Sequence, residues 1–115
     1  MKKILVSRLR LMTEAEAAWV GAFIEADGSV AQKPNGDWTL NVSQQNVEIM
    51  SALFRITHVG SIHLRYPEGS QHLGLTARRD LWTWQVQTQI EVQDIATRCQ
   101  SYSEKLQKVL CGLRG

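Results

Sequence analysis

The sequence predicts a single α+β domain, residues 1–115, in which a four-stranded antiparallel sheet is backed by helices in the order α-β-β-α-β-β-α. Three observations carry that expectation. Apolar residues at helical spacing are interrupted by four alternating stretches. A turn sequence, Pro34-Asn35-Gly36-Asp37, joins two of those stretches as a hairpin. The length, 115 residues, suits one core and not two.

The first helix is expected to open at Thr13, with Glu16 three residues on completing a capping box. It runs from Ala15 to Asp27 without proline and stops at Gly28, a residue suited to a left-handed position just past a helix end. Ser29–Lys33 and Trp38–Ser43 alternate and form the hairpin. Asn46–Thr57 is helical in pattern, with Val47, Ile49, Met50, Leu53 and Phe54 on its apolar side. Ser61–Tyr66 alternates again. A polar loop with Pro67, Gly69, Gly74, Arg78 and Arg79 leads to the last alternating run, Trp82–Gln87. Thr88-Gln89-Ile90-Glu91 has the form of a second capping box. It opens one C-terminal helix carrying Ile95, Cys99, Tyr102, Leu106 and Val109.

Thirteen Lys and Arg against eleven Asp and Glu give a formal charge of +2, too mild to announce a nucleic-acid partner without a favourable distribution. Cys99 and Cys111 lack metal-ligand spacing and read as reduced thiols. No run approaches the roughly 18 apolar residues of a membrane span. A soluble intracellular protein, of the cytoplasm or an organellar matrix, is therefore expected, with no membrane partner and no organic cofactor.

Alternation divides each strand between two faces. The apolar set is Val30; Trp38, Leu40, Val42; Ile62, Leu64, Tyr66; and Trp82, Trp84, Val86. The other set is Ser29, Ala31, Lys33; Thr39, Asn41, Ser43; Ser61, His63, Arg65; and Thr83, Gln85, Gln87. This second face holds hydroxyls, amides, Lys, Arg and His, but no acid. Polar strands commonly favour Thr and Ser because acids are poor strand formers. These are also the donor and acceptor types that read base edges in a major groove.

Small residues recur in the first helix at Ala18, Ala22 and Ala26, with Gly21 beside them. Such a stripe lets a second helix approach closely, either in a dimer or within the chain's own fold. The last turn carries Glu25 and Asp27 against the negative end of the helix dipole, a placement that costs about 0.3–1 kcal/mol for each acid. If two such helices pack about a twofold, the two Asp27 carboxylates and the exposed last carbonyls form a hard oxygen site suited to Mg²⁺.

Val20-Gly21-Ala22-Phe23-Ile24-Glu25-Ala26-Asp27-Gly28 resembles the nine-residue motif of the LAGLIDADG homing endonucleases, single-motif type, and Ser29 continues it as in many members. Val20 stands for Leu, Gly21-Ala22 for Ala-Gly, Phe23 for Leu and Glu25 for Asp. The resemblance covers nearly the whole chain through the shared element order. It implies a homodimer on a pseudo-palindromic double-stranded DNA site, cutting each strand with Mg²⁺, for which Mn²⁺ or Ca²⁺ can substitute in binding. It implies that Asp27 binds the metal, with the Ala26 carbonyl a further ligand, and that Glu25 is less directly catalytic. Gln44 is similar in placement to a residue that organises active-site water. Lys105, better placed than Lys108, corresponds to a lysine near the scissile phosphate. The face carrying Ser29, Lys33, Thr39, Asn41, Ser43, Ser61, His63, Arg65, Thr83 and Gln85 corresponds to the family's DNA-reading saddle, and Arg78 and Arg79 are expected to add contacts from their loop. Ala18, Gly21, Ala22, Glu25 and Ala26 are expected at the dimer seam.

Two other readings stay open at this stage. An RNA-splicing maturase or a non-cutting DNA-binding regulator could use the same scaffold, although the retained Asp27 favours the enzyme. A purely structural α+β module would leave the acid-free face and the acid-bearing helix end without an explanation.

Overall fold

Thr13 and Glu16 form the reciprocal cap that the sequence predicts. The Thr13 hydroxyl accepts from the Glu16 N–H at 3.2 Å and the Glu16 carboxylate accepts from the Thr13 N–H at 2.9 Å. This cap starts α1 (Glu14–Asp27) in a computed structural model that describes residues 6–72, 74–76 and 79–114. After α1 come β1 (Gly28–Gln32) and β2 (Trp38–Gln44), then α2 (Val47–Thr57) and β3 (Ser61–Tyr66). A small hairpin, β4 (Gln71–His72) and β5 (Leu75–Thr76), precedes β6 (Leu81–Val86). The chain closes with α3 (Gln89–Cys99), one 3₁₀ turn (Gln100–Tyr102) and α4 (Glu104–Arg114). No helix among the described residues is long and apolar enough to cross a membrane.

The main sheet has the order β1-β2-β6-β3 with every pairing antiparallel, and β4-β5 form a separate two-stranded piece. The helices pack on the apolar face, where Trp38, Leu40, Val42, Trp84 and Val86 are buried as the alternation predicts. They meet Val20 and Ile24 of α1, Met50 and Leu53 of α2, Val92 and Ile95 of α3, and Leu106 and Val109 of α4. Leu64, on the same face but in the edge strand β3, remains 42% exposed because the helical layer stops short of that edge. Val47 and Phe54 likewise stay outside the core.

Several expectations change. Gly28 is extended (φ −89°, ψ 167°), not left-handed, so it begins β1 directly. Glycine is needed there for close approach, since a Cβ would lie 2.5 Å from the Ile24 carbonyl oxygen. The capping box at Thr88 does not form: Thr88 is the N-cap but makes no side-chain cap bond. The start of α3 is tied down instead by Gln89, whose side-chain oxygen accepts the Trp38 N–H at 2.6 Å. The C-terminal helix is two helices. Ser103 breaks it by capping α4, its hydroxyl accepting the Leu106 N–H at 3.3 Å. The polar loop contains the β4-β5 hairpin. Both cysteines are free, Cys99 buried and Cys111 exposed, and burial pushes the Cys99 thiol up to about 11.

The turn into β3 depends on Gly60. Its φ is +89°, and a Cβ there would lie 2.5 Å from Nε1 of the fully buried Trp84, which donates to the Val59 carbonyl at 2.9 Å. Gly60→Ala is therefore expected to lower stability by about 1–3 kcal/mol through backbone strain and displacement of the indole; urea denaturation with an unchanged midpoint would contradict that account.

Candidate functional site

The polar face forms a shallow concavity of about 330 Å³ lined by Ser29, Asn41, His63, Arg65, Thr83 and Gln85. Strand register explains the grouping. Ser29 pairs with Asn41, Asn41 with Gln85, and Gln85 with Ser61, forming one row across the sheet; Ser43, Thr83 and His63 form the next. Arg65 lies where the β3-β6 register shifts between Leu64 and Tyr66, and its guanidinium sits 5.3 Å from the centre of the Tyr66 ring. The bulge keeps Arg65 on the polar face although the strand is ending.

Not every residue of that face is equally open. Thr39 and Thr83 are buried. The Thr39 hydroxyl donates to the Ala31 carbonyl at 3.3 Å, and the Thr83 and Ser43 hydroxyls bond each other at 2.9 Å. His63 Nε2 lies 3.4 Å from both the Ser61 hydroxyl and the Gln85 side-chain oxygen. Lys33 sits at the hairpin turn, half-buried, its N–H donating to the Asp37 carbonyl at 2.7 Å. Arg79 stands apart from the main concavity, in a second hollow of about 490 Å³ that it shares with Gln44, Asn46 and Glu48. Arg78 lies outside the described residues.

The end of α1 runs directly into β1, with Asp27 two residues before Ser29 of this face. Gln44 closes β2 on the same side as Leu40 and Val42, beyond the last core residue. From there its side-chain N–H donates to the exposed Asp27 carboxylate at 2.5 Å. Sequence reasoning placed both residues near the chemistry, and the fold brings them into contact.

Glu25 and Lys105 are held by partners within the chain. Glu25 turns toward α4. Its carboxylate accepts from the Ser103 hydroxyl at 3.0 Å and from the Lys105 backbone N–H at 3.1 Å, in the first turn of α4. An acid that is unfavourable at the negative end of α1 thereby sits at the positive end of another helix. The Lys105 backbone N–H, together with the Ser103 hydroxyl and the Lys105 charge, holds the Glu25 carboxyl below its ordinary value of 4.5, with burial opposing. The Lys105 ammonium turns the other way. It donates to the Glu25 carbonyl at 2.7 Å and the Gly28 carbonyl at 2.8 Å, supplying the cation that the last turn of α1 lacks. The sequence signal for this arrangement was Ser103-Glu104, a cap residue followed by an acid, hidden inside an apolar pattern that reads as continuous helix.

The small-residue stripe is split. Ala17, Val20, Gly21 and Ile24 face the core, whereas Ala22 and Ala26 are exposed and Ala18 half-buried. Gly21, expected at the seam, packs internally: a Cβ would lie 2.6 Å from the Tyr102 Cβ. Ala22, Phe23, Ala26 and Asp27 line an outward hollow of about 230 Å³. Phe23 is steadied by Trp19, with ring centres 4.5 Å apart.

Among solved structures, this arrangement matches the crystal structure of the homing endonuclease I-CvuI in complex with its target (Sro1.3) in the presence of 2 mM Ca, with a TM-score of 0.60. The fold is homing-endonuclease-like. The two sequences are 16% identical, and the match covers 88% of this chain. The chain spans 65% of the length of that structure's chain. No family model and no curated protein matches the sequence.

Because the Glu25 carboxyl is held low in the folded state, its contribution is present above the ordinary value of 4.5 and is lost as pH falls through the lowered one. Glu25→Gln should lower the melting temperature at neutral pH and flatten the loss of stability below that value; melting curves of equal steepness in acid for both proteins would remove Glu25 from this role.

Proposed function

We propose that this chain is a site-specific double-strand DNA endonuclease, acting as a homodimer on a pseudo-palindromic site with a divalent metal. The observation that carries the reading is the contact between exposed Asp27, at the junction of α1 and β1, and Gln44, at the end of β2, in a sheet whose polar face forms an acid-free concavity. The motif across Val20–Gly28 and the fold shared with a homing endonuclease that was crystallised with its target support it.

Each chain brings one motif, so a complete site calls for two copies. The exposed Ala22 and Ala26, with the hollow ending at Asp27, offer a second α1 a surface without projecting side chains. Among the described residues no three His, Cys, Asp or Glu side chains come together, so a shared site would combine Asp27 from both copies. The exposed carboxylate is a hard oxygen donor of the kind Mg²⁺ takes, and Asp27 with the Ala26 carbonyl would hold the ion. When bound, the metal would supply an activated water and charge stabilisation for the leaving oxygen.

The protein groups have separate tasks in this reading. Gln44 fixes the Asp27 carboxylate through one N–H, leaving its carbonyl to orient a water. Glu25 and Lys105 keep the end of α1 in place and so act as positioning residues. Asn41, His63, Arg65 and Gln85 present donors and acceptors to base edges. Arg79, beside Gln44, lies where a phosphate next to the cut would pass. The registered rows mean that these groups are set by the sheet and not by loops.

Asp27→Asn should abolish cleavage of a selected target in Mg²⁺ and leave DNA affinity within about threefold, because phosphate and base contacts lie elsewhere; residual cutting at the wild-type rate would overturn the assignment. Ala22→Leu should give monomers in sedimentation velocity and retain the wild-type circular dichroism. A dimer that persists in this variant would place the self-association surface away from α1.

A further inference from the structure

At the start of β3 and the end of β6 lies a hollow of about 420 Å³, most of whose lining the endonuclease reading does not use. Arg8, Phe54, His58, Gln87 and Glu91 line it. Ser61 and Gln85 line it too, and they end the row that crosses the polar face, so the hollow continues that face around its edge. Its volume falls within the roughly 300–1,000 Å³ typical of small-molecule sites.

Glu91 is the unusual member. It is 9% exposed, and among the described residues its carboxylate has neither a hydrogen bond nor an ion pair. What exposure it keeps opens into the hollow, where a donor can reach the carboxylate. Phe54, 43% exposed, adds aromatic surface to the same hollow. Arg8 and His58 add N–H donors. Gln87 already donates to the Gln85 side-chain oxygen at 2.6 Å, which leaves the Gln85 amide nitrogen as a further donor.

We propose that this hollow binds an unpaired guanine base. An ionised carboxylate is acceptor-only, with two oxygens side by side. Guanine presents two parallel donors at its pairing edge, N1–H and N2–H₂, and an acceptor O6 beside them for the Gln85 amide. Adenine and cytosine offer one donor flanked by a ring nitrogen lone pair, which would face the second carboxylate oxygen. Uracil and thymine offer one N–H between two carbonyls, which repel it. Phe54 supplies the stacking surface that unpaired bases use, and Arg8 and His58 take the attached phosphate. The choice of a nucleic-acid ligand over a guanidinium side chain of a partner protein rests on the proposed reading of the adjoining polar face.

The test is calorimetric titration of the full chain in EDTA with the four ribonucleoside 5′-monophosphates. Guanosine monophosphate should bind saturably, and the other three about tenfold or more weakly. Glu91→Gln should remove that preference. Phe54→Ala, at an exposed position, should weaken guanosine monophosphate about fivefold or more and keep the preference for it. Asp27→Asn should leave the titration unchanged, so failure of the endonuclease reading and failure of this one are told apart. Absence of saturable binding, a preference that survives Glu91→Gln, an affinity untouched by Phe54→Ala, or equal competition by argininamide would each overturn the proposal.

Discussion

The geometry of the candidate site depends on an exchange between two helix ends. The Glu25 carboxylate reaches from the last turn of α1 to the first turn of α4, and the Lys105 ammonium reaches back from α4 to the carbonyls of Glu25 and Gly28. Each helix thus provides the charge that complements the other's dipole. Neither helix can shift along its axis without breaking several charge-assisted bonds. Asp27 sits two residues beyond Glu25 and one before Gly28, so its backbone is fixed on both sides. An exposed carboxylate on such a base has little freedom except in its own side-chain torsions.

Much of this was legible in the sequence, and the reasons are local. The capping box at Thr13, the hairpin at Pro34–Asp37 and the alternation of Trp38–Ser43 depend on neighbours within a few residues, and each appears at the expected place. The division of the sheet into an apolar and an acid-free face follows from the two-residue period alone. What remained hidden depends on long-range partners. Glu25 looked misplaced because its compensation lies about eighty residues away in Ser103 and Lys105. Gly21 looked like part of an outward stripe because nothing in α1 indicates that Tyr102 will press against it. The break between α3 and α4 was masked because Tyr102 and Leu106 continue the apolar spacing straight through Ser103.

The polar face also shows how composition alone misjudges availability. Ser43, Thr39 and Thr83 satisfy one another or nearby carbonyls and are held within the sheet. Asn41, His63, Arg65 and Gln85 line the concavity with groups that retain bonding capacity. A solved homing endonuclease shares this fold at 16% identity, which is what a scaffold fixed by patterning and register permits once surface chemistry diverges.

The strand β3 is guarded against pairing with other chains. It is an outer strand of the main sheet, its hydrogen-bonding rhythm falters between Leu64 and Tyr66, and Pro67 follows at once. A strand that is kinked and ended by an imino acid makes a poor template for another chain's backbone, so growth into ribbons or fibres through this edge is disfavoured. Open-ended stacking through this edge is thereby discouraged.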